Sequence, residues 1–392
     1  MSSAEPLATR EAIFVDQSDQ ALAPLRPWPP VIVSRDAIES EIQRLAALAK
    51  QANGIRASAI VHPCHTGEGN GISPGFDAVL HVLRPGEVTA PIWRNSNRVE
   101  FCLRGCGSAT VNGEELPLAR WDTCNIPAMQ RYQHRNVGDD LFVWLSFSNA
   151  PLLEKLGAHY AEYDPPVRRL AQPRPRNLKD GSFDVELPGG ARLQSAEYLS
   201  DIEVVPSRAH LWRWSAVKDQ LAFAPRTDQR DLVLLYNPAT ERRAGTSASF
   251  FVTILGGTAT APLQPPVRWG HRHTPAALFY QMMGSAIADI DGERVVWEEG
   301  DLVMGAPSWA QHSINVGVKD GVPADWALFA IQDHPPHIAQ ESLIWQDDPE
   351  KPIAGLGHEV ELDYLAFAAK RRSEEDAVAR TAHETSAEEG QS

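Results

Sequence analysis

The sequence predicts an all-β fold, in the sense of mainly β, made from two copies of one small β-domain. Short runs rich in Val, Ile, Phe and Leu are divided by turn residues, and 30 prolines and 27 glycines leave room for few long helices. The same order of strand and turn signals occurs twice, roughly 180 residues apart, which marks a duplicated unit. A chain of 392 residues is long enough to bury two sizeable cores.

In chain order, residues 1–56 read as an N-terminal arm and helix. LAPLRPWPP, Leu22 to Pro30, lacks backbone donors at its prolines, so it is expected to lie extended along a surface outside any sheet. Ser34 or Asp36 caps a helix over Asp36 to Lys50, whose apolar face is Ile38, Ile42, Leu45, Leu48 and Ala49. Residues 57–165 carry the first β-domain, with strands at Ala78 to Leu83, Val99 to Leu103, Ser108 to Val111 and Leu141 to Leu145. Asn112-Gly113 makes a tight hairpin between two of these runs. Residues 166–245 form a connecting segment after a proline- and arginine-rich linker at Asp164 to Arg176, with a helix expected over Leu211 to Phe223 and an apolar run at Asp231 to Tyr236. Residues 246–345 are the second β-domain and 346–392 an extension, with a disordered acidic tail from Arg371.

The duplication is read from matched signals. His271 to Gly284 parallels Ile92 to Gly105, Asp291-Gly292 parallels Asn112-Gly113, Glu299 to Leu302 parallels Ala119 to Asp122, Ala306 to Trp309 parallels Ile126 to Met129, and Asn315 to Gly317 parallels Asn136 to Gly138.

A net charge of -15 with no basic stripe excludes a nucleic-acid backbone as partner. Cys64, Cys102, Cys106 and Cys124 lack zinc-ribbon spacing, and a chain this long needs no disulfide framework, so they read as reduced thiols. Residues 1–9 show no signal-peptide pattern and no run has the length of a membrane span, so a soluble cytoplasmic protein with no membrane partner is expected.

Chemistry concentrates in GHRHTPAALFYQMMG, Gly270 to Gly284, and PSWAQHSIN, Pro307 to Asn315. On a strand His271 and His273 point the same way, and His312 returns from a second strand. Three imidazoles converging from two strands suit a divalent metal with open coordination positions. A lone surface His-x-His is more often an ordinary pair than a ligand pair; the placement of His312 raises the reading. Gln281 and Tyr280 continue the ligand strand, one parity of which should line the barrel. Arg268 and Arg272 flank the ligands and can attract an anion, although a salt-bridged or solvent-facing arginine is the commoner outcome. His62-Pro63-Cys64-His65 and His334-Pro335-Pro336-His337 rank lower, the second as a rigid exit turn. No phosphate loop, dinucleotide fingerprint or nucleophile elbow occurs in the right context.

A strand with His-x-His, a glycine turn, a D-G hairpin, a G-D pair and Pro with His five residues on resembles the two cupin motifs, and their duplication resembles a bicupin of two jelly-roll barrels. More narrowly, HRHTPAAL with PSW-x-x-H resembles the gentisate 1,2-dioxygenase family, which includes salicylate and 1-hydroxy-2-naphthoate ring-cleaving enzymes; LAPL resembles its N-terminal arm. The resemblance implies Fe(II) on His271, His273 and His312, a small aromatic acid and O2 as substrates, and a homo-oligomer, tetramer or dimer. The glutamate usual in cupins would fall at Ala277 or Leu278, which fits a three-histidine site. The first domain has Ile92, Arg94 and Tyr132 at the ligand positions, so its metal is expected to be lost, with His134 and Glu100 nearby. Pro275 and Phe279 stand where the family commonly has substrate-contacting Gln and Arg, which leaves the aromatic substrate open. Imidazole suits iron, manganese, nickel and zinc alike. A cupin lyase, isomerase or decarboxylase, and a non-catalytic bicupin, therefore remain the alternatives to an Fe(II)-dependent ring-cleaving dioxygenase.

Overall fold

A computed structural model describes residues 14–18, 22, 25, 27–67, 69–167, 184–186, 192–194, 208–221, 226–227, 230–240, 244–259, 262–266, 270–318, 322–347 and 349–355. Arg268, most of the Asp164 to Arg176 linker and the tail from Arg371 lie outside the described residues.

The first barrel faces two antiparallel sheets against each other. One runs in the order Leu211–Trp212, Thr123–Ile126, Arg98–Arg104, Phe142–Ser148, Asp77–Leu83, Ala57–Ile60. The other runs Ala161–Tyr163, Ile92–Arg94, Tyr132–Asn136, Cys106–Val111, Glu114–Ala119. The second barrel repeats this plan. Its large sheet orders Val31–Val33, Leu302–Ala306, Ala277–Met283, Ala324–Gln332, Phe251–Ala259, Arg230–Leu234, Arg226–Thr227, and its small sheet orders Glu293–Glu298, Ser285–Ile290, His312–Gly317. Both two-residue hairpins take left-handed backbone, Asn112 at φ 49° with Gly113 at 88°, and Asp291 at 50° with Gly292 at 83°, as the tight turn requires.

Strand alternation divides each large sheet between two cores. In Arg98–Arg104, Val99, Phe101 and Leu103 face the other barrel, while Cys102 faces its own interior. In Ala277–Met283, Leu278, Tyr280 and Met282 face the first barrel, while Ala277 and Phe279 face inward. The two large sheets therefore share one core, in which Phe329 stacks on Phe101 at 4.3 Å and on Phe147 at 5.7 Å between ring centroids.

Several boundaries differ from expectation. The helix spans Arg35–Ala47, starting one residue before and ending three residues before the reading; Ser34 is the cap, its hydroxyl accepting from the Ala37 amide, and Leu48 turns extended. Leu211–Trp212 is not helical but pairs with Thr123 and Cys124 at the edge of the first barrel, and the helix occupies Trp214–Leu221. Arg230–Leu234 joins the second barrel's sheet through Phe251–Ala259. Val31–Val33, directly after the proline stretch, crosses to the second barrel and pairs with Leu302–Met304. The repeat register between 119 and 122 is one residue off the reading. The left-handed Trp121 corresponds to Gly300, because the Asp122 amide donates to Ala119 and the Asp301 amide to Glu298. The exit segment His334–Ala339 is a short helix with two prolines in its first turn.

Candidate metal centre

The three histidines of the motif meet inside the second barrel. His271 forms an isolated antiparallel bridge with His312, and His273 follows on the strand Arg272–His273. One nitrogen from each ring lies within 4.8 Å of the others, and among the described residues this is the one cluster of three or more His, Cys, Asp or Glu side chains with that property. His273 and His312 are buried. Ring centroids stand 4.5 Å apart for His271 and His312, 5.0 Å for His273 and His312, and 5.4 Å for His271 and His273.

Two backbone contacts aim these rings. The His273 Nδ1 lies 2.7 Å from the Pro275 carbonyl and the His312 Nδ1 3.0 Å from the Ala310 carbonyl. A carbonyl only accepts, so Nδ1 carries the proton and Nε2 keeps its lone pair, the tautomer a metal ligand needs. Burial, then the neighbouring His312, His334 and His271, holds the His273 pKa well below the ordinary range, so its ring is a neutral ligand at physiological pH. Gly270 allows the approach of the two strands: a Cβ there would lie 1.6 Å from the His312 carbonyl oxygen. All donors are neutral nitrogen, and Ala277, fully buried at the expected carboxylate position, supplies none. This donor set fits a first-row transition metal rather than magnesium or calcium.

Trp345, which carries no sequence signal, and His334, which the sequence placed in an exit turn, complete the surroundings. Trp345 comes from the strand Ile344–Gln346, whose partner is Arg272–His273. Its ring stacks on His271 at 4.4 Å and 10° and lies 5.1 Å from His273. His334 stands 5.2 Å from His273, and burial, with His337 and His312 nearby, lowers its pKa to about 3. Nothing in the spacing of IWQDDP marks Trp345, because its position follows from a return strand far along the chain.

The flanking residues are placed unequally. Gln281 faces the barrel interior and is fully used: its Oε1 accepts from Trp297 Nε1 at 2.8 Å and its Nε2 donates to the Met283 carbonyl at 2.7 Å. Tyr280 points the other way, into the shared core beside Phe101. Its side chain borders a 310 Å³ cavity under the N-terminal helix that contains none of the three histidines. Strand alternation forces this, since Tyr280 has the opposite parity to Phe279. Arg272 donates to Gln346 Oε1 at 2.6 Å and lies over the Trp309 ring at 4.7 Å. Arg268 is outside the described residues. Of the two lower-ranked motifs, His62 bonds Pro29 and the Cys64 amide and His337 bonds Ser342, while His334 stands by the centre and neither motif is part of the three-ligand cluster.

No family model matches the sequence. Among curated proteins, a gentisate 1,2-dioxygenase from a Streptomyces species is 25% identical over 283 residues, 68% of this chain and 72% of that protein. A 5-aminosalicylate 1,2-dioxygenase from a Comamonas species is 25% identical over 265 residues, 65% of this chain and 64% of that protein. Among solved structures, salicylate 1,2-dioxygenase from Pseudaminobacter salicylatoxidans shares the fold with a TM-score of 0.65 at 18% identity, covering 85% of this chain and 92% of that one. The chain is a bicupin related to the gentisate and aminosalicylate 1,2-dioxygenases, the ring-cleaving group that its HRH motif resembles.

Proposed function

We propose that this protein is an Fe(II)-dependent ring-cleaving dioxygenase acting on a hydroxylated aromatic acid, with both atoms of O2 entering the product. The observation that carries the reading is the convergence of His271, His273 and His312 in one buried, carboxylate-free cluster. Bound there, Fe(II) supplies open coordination positions for an ortho-hydroxy acid and O2, together with the redox chemistry that triplet oxygen needs to react with an aromatic ring. His273 and His312 present Nε2 because backbone carbonyls hold Nδ1. Ala277, Phe279, Ala306, Leu328 and Ala330 give the barrel an apolar interior that excludes water. Trp345 fixes the orientation of His271 by stacking. Arg272, over the Trp309 ring, adds positive charge beside the ligand strand and favours an anionic substrate. Tyr280 faces away and Gln281 is saturated, so neither is assigned a substrate contact. A cytoplasmic, homo-oligomeric enzyme belongs to the same proposal, its assembly measurable by sedimentation.

The test is anaerobic loading with Fe(II), then addition of salicylate, gentisate or 1-hydroxy-2-naphthoate and measurement of O2 uptake, with the product made under ¹⁸O2 analysed by mass spectrometry. One substrate should consume O2 and yield a ring-opened acid carrying two labelled atoms. An iron-replete protein that consumes no O2 across this panel overturns the substrate class, and full activity with zinc overturns O2 chemistry.

A further inference from the structure

The first barrel repeats the geometry of the metal centre with different side chains. The bridge between His271 and His312 has its counterpart in Ile92 paired with Tyr132. Arg94 follows Ile92 by two residues, as His273 follows His271, and Arg98 opens its strand where Ala277 opens the equivalent one. Two guanidinium groups therefore stand at positions corresponding to a metal ligand and to the cupin carboxylate.

Their hydrogen bonding is incomplete. Arg98 is 3% exposed; its Nη2 lies 3.5 Å from Glu100, but its Nε is buried without a partner. The Arg94 guanidinium makes no hydrogen bond or ion pair among the described residues, and its Nε is likewise buried. Trp144 Nε1, and Ser96 Oγ on the turn between the arginines, are also buried and unpartnered. Buried donors without acceptors are rare in native proteins and ask for an explanation. Arginine and tryptophan only donate, so what would satisfy them is an acceptor.

The acids already present are committed. Glu100 accepts from His134 at 2.5 Å and neighbours Arg98, while Asp77 takes the Ser148 amide at 2.7 Å and its hydroxyl at 2.8 Å. Both acids lie in the field of these arginines, but Asp77 is held by Ser148 and Glu100 by His134 and Arg98 Nη2, so neither accepts from the buried Nε of Arg94 or Arg98, and that acceptor has to come from a ligand. The surroundings are flat: Trp144 stacks on His81 at 4.7 Å and on His134 at 4.6 Å. Burial, then the charges of Arg98, His134 and Arg94, holds the His81 pKa well below its ordinary range, which puts both guanidinium groups near this ring stack.

We propose that the first barrel is a metal-free binding site for a small planar carboxylate, an aromatic monoanion, received by Arg94 together with the unpartnered donors of Arg98, Ser96 and Trp144. The site is distinct from the histidine centre and stands whether or not that centre cleaves rings.

Benzoate is the probe and benzamide its neutral counterpart, titrated calorimetrically into the full-length protein stripped of metal by a chelator. Saturable one-to-one binding of benzoate and none of benzamide is expected. The affinity should stay within twofold in the His271→Ala/His312→Ala variant, fall at least tenfold in Arg94→Met, and recover in part in Arg94→Lys. No saturable benzoate binding by the metal-stripped protein overturns the proposal, as does binding that disappears with the histidines or is indifferent to Arg94→Met. The benzamide contrast and the histidine variant decide the matter even if the Arg94 variants do not fold.

Discussion

Gln281 and Asp77 show how single buried polar groups act in opposite barrels. Gln281 Oε1 accepts the Trp297 indole N–H at 2.8 Å deep in the second barrel. Gln281→Leu leaves the indole N–H buried and unpaired, and should lower stability by about 1–3 kcal/mol, read from the urea midpoint at constant slope. Asp77 is raised to about 6, because burial disfavours its charge more strongly than Arg98 and the two Ser148 hydrogen bonds favour it. An acid with a raised folded-state pKa binds its proton more tightly when folded, so its contribution is fully present below the unfolded value and is lost as pH climbs to about 6. The stability of the wild type relative to Asp77→Asn should therefore decline between the ordinary carboxyl pKa and pH 6 and level off above it, as measured by urea melts across that range. Glu100 behaves otherwise: burial opposes its charge, but His134 and Arg98 outweigh burial and hold its pKa below the ordinary value.

At the scale of elements, the centre depends on two short strands approaching within a bridge rather than on a long ladder. Gly270 is what permits this, since any side chain there meets the His312 backbone. Gly270→Ala should push the His271 segment off His312 and weaken divalent-metal binding at least tenfold, in line with the cost of disturbing metal-site support, while circular dichroism stays that of the wild type. Competition with a colorimetric chelator measures it. The strand pattern of the HRH segment was readable from residue types alone. The covering strand Ile344–Gln346 was not, because three residues carry no periodicity and their partner, Arg272–His273, is about seventy residues away in sequence. Trp121 is a similar case: it holds a left-handed φ of 69° where the repeat has Gly300, and its ring packs edge-on against Trp214 at 5.6 Å.

Across the whole molecule, the barrels are fused by the apolar outer faces of their large sheets. Phe329 sits between Phe101 and Phe147 of the other barrel, and is fully buried. Phe329→Ala should cost about 3–5 kcal/mol and should loosen both barrels together, seen in calorimetry as one transition displaced to lower temperature. If the barrels were independent, the first barrel would melt as before. The strand Val31–Val33 adds to the coupling by carrying the N-terminal segment onto the second barrel's sheet.

The residue pattern alone determined the duplication, the hairpins at Asn112-Gly113 and Asp291-Gly292, and which three histidines to bring together, because turn chemistry and side-chain alternation are local properties of the chain. Tertiary structure decided what those signals could not carry. It turned Tyr280 toward the neighbouring barrel, because both faces of a large sheet are buried here and apolar pattern alone does not say which face meets which core. It brought Trp345 onto His271 and stacked Trp144 on His81 and His134 in the first barrel, since each of these depends on strands distant in sequence closing on one another.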